Sequence, residues 1–128
     1  MEEYLKLELD RNDCQVKNYD VFYEKFLLII NDSYKKFKEH LFGENFAIFL
    51  SKKYKNRYIE SIHIIFVKCL PFIKNPYTED FFDSLGSISK DEGDLIQLPT
   101  DKSEWEKADI LWDVLKDLID MWKINQNI

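Results

Sequence analysis

Three glycines and three prolines in 128 residues leave this chain few places to turn tightly. A many-stranded sandwich needs a turn signal about every 8–12 residues, so that class is disfavoured. Two cysteines, Cys14 and Cys69, are too few for a disulfide framework and stand at no metal-type spacing. A reducing compartment is the default for such a chain. The acidic start Met1-Glu2-Glu3-Tyr4 has no basic and apolar segment of the signal-peptide kind. Apolar runs such as 26–30 and 64–67 fall far short of the roughly 20 residues that span a bilayer. A cytoplasmic protein without membrane contact is therefore expected.

Motifs that carry chemistry are missing too. No GxxxxGK[ST], GxGxxG or GxSxG is present, and no HExxH, CxxC or His-x-His places two metal ligands together. The two histidines stand apart. His40 falls near a predicted helix end, and His63 lies inside an apolar run, where a satisfied core histidine is the ordinary reading. These absences point to a protein that is not an enzyme and holds no cofactor and no metal.

What the chain has is apolar and aromatic bulk. Hydrophobic residues make up 45% and aromatics 16%, with ten Phe and seven Tyr. A chain of this length buries roughly two-thirds of its unfolded surface, enough for one proper core. Nothing reads as a linker or an internal repeat, so residues 1–128 are expected to form a single domain.

Helical periodicity dominates. From 20 to 42, Phe22, Phe26, Ile29 and Phe37 recur on one face; Asp20 is a candidate N-cap and Gly43 a candidate helix stop. Residues 44–55 repeat the pattern, and Asn56 is placed to cap a helix over 57–70 that Pro71 ends. The β-branched run 62–67 also fits a buried strand, but its polar neighbours fall on helical spacing. Pro76 opens a short helix over 77–85, closed by Gly86, and 86–101 reads as a long loop. Ser103 and Glu106 form a capping box before a last helix whose seam is Trp105, Ala108, Trp112, Leu115, Ile119 and Trp122. Only the start differs: Leu5, Leu7 and Leu9 alternate with polar residues, which suggests a short β element, although a helix from Glu2 also fits. The expected fold is mainly α, a bundle of about five helices. Its predicted core is Phe22, Phe26, Ile29, Phe37, Phe49, Ile62, Phe66, Trp112, Leu115 and Ile119.

Charge divides the chain. Residues 1–75 hold 13 Lys/Arg against 11 Asp/Glu, while 76–128 hold 5 against 13, giving net charges of +2 and −8. Asp109, Asp113 and Asp117 stand four apart, which stacks three carboxylates in a row on a helix, with Asp120 close by. Such a ridge either faces a basic partner or is simply a solvated face. In the other half, Lys35, Lys36 and Lys38, and Lys52, Lys53, Lys55 and Arg57, form two basic clusters interleaved with Tyr34, Tyr54 and Tyr58. Lysines neutralise phosphates and rings stack on bases, so a nucleic-acid partner is the alternative, with a structural subunit of a larger assembly as a third reading. The overall charge of −6 weighs against it.

One segment adds to the acidic reading. Gly93-Asp94-Leu95-Ile96-Gln97-Leu98-Pro99 resembles the Gly-Ser-Asp-Leu-Ile-Tyr-Tyr-Pro segment of the colicin/pyocin-type DNase immunity proteins, and like it precedes a Trp-bearing final helix. The resemblance implies a small acidic helical bundle that binds and blocks a nuclease. It implies contact residues at Asp94 and, in the two tyrosine positions, Gln97 and Leu98. With Asp101 and the ridge Asp109, Asp113, Asp117 and Asp120, these make the candidate surface for a basic, nuclease-like toxin. Far-ultraviolet circular dichroism tests the fold class: a helical spectrum is expected, and one dominated by strand contradicts the bundle.

Overall fold

The computed structural model of the chain describes residues 1–74, 78–92 and 103–126. Six α-helices occupy them: α1 Glu2–Arg11, α2 Tyr19–Glu39, α3 Gly43–Leu50, α4 Lys52–Cys69, α5 Glu79–Asp91 and α6 Glu104–Asn125. A 3₁₀ turn, Leu70–Phe72, holds Pro71 where α4 ends. The all-α class is as expected. No helix among the described residues is long and apolar enough to cross a membrane.

The N-terminal β element is not there. Leu5 and Leu9 are buried while Leu7 is 63% exposed, so the alternation of leucines conceals a four-residue repeat on one helix face. Glu2 and Glu3 in the first turn and Arg11 in the last suit the helix dipole. The chain then turns through Asp13, whose φ of 55° is left-handed. Among the described residues the only pairing of extended backbone is a single bridge from Val16 to Gln126.

Helix α2 is the axis. Its Phe22, Phe26, Ile30, Tyr34 and Phe37 form one buried stripe, and Asn18 rather than Asp20 supplies the cap. It packs against α4 on one side and α6 on the other. Phe26 meets Phe66 of α4 edge-on, with ring centroids 5.2 Å apart. Of the predicted core, Ile29 and Trp112 are only half-buried, and the other eight are buried.

Several boundaries moved, each for a local reason. Gly43 has a φ of +59° but opens α3; α2 has already ended at His40, whose N–H bonds the Phe37 carbonyl at 3.1 Å. The stretch 44–55 is split by Ser51, whose Oγ accepts from the Tyr54 N–H and so caps α4 in place of Asn56. Gly86 does not close α5. Thr78 caps that helix at Phe81, and Leu85 and Ser89 are buried on either side of the glycine. A glycine in a helix interior costs about 1 kcal/mol, which this packing outweighs. The predicted loop therefore shrinks, since residues 86–91 are helical. Pro76 and Tyr77 lie outside the described residues.

Helix α6 starts as expected, with Ser103 Oγ accepting from the Glu106 N–H. Its buried side is broader than the seam, because Leu111, Val114, Leu118 and Met121 join Leu115, Ile119 and Trp122. Trp105 is not part of it. That ring is 68% exposed, with the Lys90 ammonium 4.5 Å from its centre. Trp122 instead ties the two ends of the chain together: its Nε1–H donates to the Cys14 carbonyl at 2.8 Å, in a buried contact. The Lys17 N–H bonds the Asn125 carbonyl beside it at 2.9 Å. Replacing Trp122 by Phe orphans the buried Cys14 carbonyl. It should lower stability by about 1–3 kcal/mol in urea unfolding, and an unchanged midpoint contradicts this role.

Candidate functional site

The three carboxylates share a face of α6, and two of them, Asp113 and Asp117, line a groove. Asp109, Asp113 and Asp117 are all exposed, and none makes an ion pair with a described residue. Asp113 and Asp117 look across a groove of about 540 Å³ to Asp32 and Lys36 of α2 and to His40 at its end, with Lys116 beside them. The ridge thus shares its groove with two lysines. Asp120 differs from the other three, being half-buried and already engaged within the fold. Asp94, Gln97, Leu98 and Asp101 lie outside the described residues, as does the whole 93–99 segment.

The basic clusters divide between two places. Lys35 and Lys38 of α2 and Lys52 and Lys55 of α4 converge on a second recess of about 470 Å³, floored by Tyr34, Phe49 and Leu50. Lys36 turns to the acidic groove instead. Two of the three interleaved tyrosines are core residues. Tyr34 and Tyr58 are buried, and their hydroxyls are taken by the Phe49 carbonyl and by Ser33 Oγ respectively. Burial pushes the Tyr58 phenol up to about 12. Tyr54 is half-buried against Phe49.

A row of exposed apolar side chains went unremarked in the sequence. Phe42, Phe46 and Leu50 stand four apart, and they are 82%, 36% and 60% exposed. Within α3, only Phe49 is buried. The signal was available: 46–50 is apolar all round, and a two-turn helix can bury only one face.

His63 is a core histidine. The Ile59 carbonyl can only accept, so Nδ1, 2.7 Å away, carries the ring proton. Nε2 is then the acceptor for the Tyr23 hydroxyl at 3.0 Å, and the Phe26 ring packs edge-on at 4.9 Å. Both cysteines are buried thiols, and burial pushes Cys69 up to about 12. No group of three or more His, Cys, Asp or Glu that could hold a metal occurs among the described residues. No known protein family, curated protein or solved structure matches this chain.

Burial holds the His63 pKa below its ordinary value of 6.5. The unfolded chain takes up that proton near pH 6.5 and the folded one only at lower pH. Stability is therefore complete above 6.5 and falls as the pH drops below it. The slope is at most about 1.4 kcal/mol per pH unit. Replacing His63 by Gln should flatten urea-derived stability between pH 7 and 5.5, and an equally steep variant contradicts the assignment.

Proposed function

We propose that this chain is a non-catalytic binding protein of the immunity or antitoxin kind. In this reading it neutralises a basic, nuclease-like bacterial toxin by covering it with the carboxylate face of α6. Its place of action is the cytoplasm, where Cys14 and Cys69 stay thiols. The observation that carries the reading is the row Asp109, Asp113 and Asp117, exposed at four-residue intervals with no cation among the described residues paired to it. Like charges so spaced cost a few tenths of a kcal/mol per pair in the free helix. A cationic partner removes that repulsion and turns it into attraction. The same field draws a basic protein in and orients it, so its main effect is on the association rate. Lys36 and Lys116 in the groove weaken the field, and a partner guanidinium seated between Asp113 and Asp117 competes with them. The resemblance adds Asp94, Gln97 and Leu98 as contacts, and the acidic run of the sequence adds Asp101. A nucleic-acid partner is less well supported, since two of its three stacking rings, Tyr34 and Tyr58, are core residues.

The test is rescue and kinetics with the product of the adjacent gene. Cells expressing that product should stop growing, and this chain should restore growth. Replacing Asp113 and Asp117 by Lys should slow association about tenfold or more at low salt while the fold persists. Lys36→Ala should act in the opposite direction and speed it. Rescue with unchanged rates in both variants would make the ridge a solvated face, and absence of rescue removes the immunity reading.

A further inference from the structure

The lysine-walled recess between α2 and the α3–α4 junction has no part in the reading above. Four ammonium groups, Lys35, Lys38, Lys52 and Lys55, meet there against one carboxylate, Asp32, a net of +3. None of the four makes an ion pair with a described residue. Each pair stands three apart on its helix, so like charges are neighbours along both walls. Lys52 and Lys55 also open α4, whose first turn holds no acid, and cations at that end oppose the helix dipole. The fold thus gathers positive charge where its own electrostatics disfavour it. The floor is apolar, with Leu50 60% exposed. Asn31, also in the lining, has a shielded Oδ1 without a hydrogen-bond partner. The volume of about 470 Å³ suits a small molecule, for which pockets run from roughly 300 to 1,000 Å³.

We propose that this recess binds a compact polyphosphate group, of the kind carried by a nucleoside triphosphate or a phosphorylated polyol. Such a group brings about three to four negative charges, matching the +3 of the lining, and offers acceptors to all four ammonium groups at once. A long single strand is a poorer occupant, because two of the three rings that would stack its bases, Tyr34 and Tyr58, are buried.

Isothermal titration of the full chain with inorganic triphosphate tests this. One molecule should bind per chain, at least about tenfold more tightly than orthophosphate, and more weakly at 300 mM than at 50 mM salt. Adenosine triphosphate and inositol hexakisphosphate, run in parallel, tell the two sources apart by which exceeds the bare triphosphate. Replacing Lys35 and Lys55 by Gln should weaken binding about tenfold or more. The fold should persist, since the change relieves like-charge contacts, and circular dichroism checks it. Lys53→Gln, outside the recess, should change affinity less than about twofold. Three results would overturn the proposal: no binding of triphosphate, equal loss in the Lys53 variant, or an oligonucleotide binding far more tightly than any of the three small ligands.

Discussion

Burial of the α2 stripe is the constraint on which the rest depends. Phe22, Phe26, Ile30, Tyr34 and Phe37 must all leave water, and one neighbouring helix cannot cover them. Each fully buried side chain of this size is worth about 1.5–3 kcal/mol, so the stripe rivals the net stability of a whole domain. The chain meets this demand with α4 on one flank and α6 on the other. His63 and Tyr58 belong to the same packing. Their polar atoms are tolerated because Ile59, Tyr23 and Ser33 satisfy them.

That arrangement sets where charge can gather. Between those flanks α2 still shows an edge to solvent, apolar at Val21 and Leu28 and charged at Asp32, Lys35 and Lys36. Turned one way, the edge meets Asp113 and Asp117 of α6; turned the other, it meets Lys52 and Lys55 of α4. Asp32 borders both hollows. The charge division between the halves of the sequence thereby becomes two sites of opposite character on either side of one helix.

Much of this was legible in the sequence, and the failures share a cause. Four-residue periodicity marked α2 and α6 correctly, because long amphipathic helices carry many repeats of one signal. The N-terminus misled because Leu5, Leu7 and Leu9 satisfy both periods, and only Leu7's exposure separates them. Gly43 and Gly86 were read as helix stops from residue type alone, whereas α2 ends at His40, before Gly43, and α5 runs on through Gly86 to Asp91 with Leu85 and Ser89 buried beside it. Trp105 was placed on the seam of the last helix because its spacing fits, yet its turn of α6 leaves it exposed beside Lys90. For the sites, sequence showed which residues were charged but not which would meet. Lys36 parted from Lys35 and Lys38, and two clusters seventeen residues apart became one recess, because those pairings depend on how helices pack.

The central claim is that two hollows of opposite charge act independently across α2. Amide chemical-shift mapping of one isotope-labelled sample, titrated first with inorganic triphosphate and then with a hexa-arginine peptide, tests it most directly. The account predicts that triphosphate moves signals from residues 31–38 and 50–55, that the peptide moves those from 109–117, and that neither displaces the other. Both probes perturbing the same residues, or small shifts scattered over the whole surface, would contradict it.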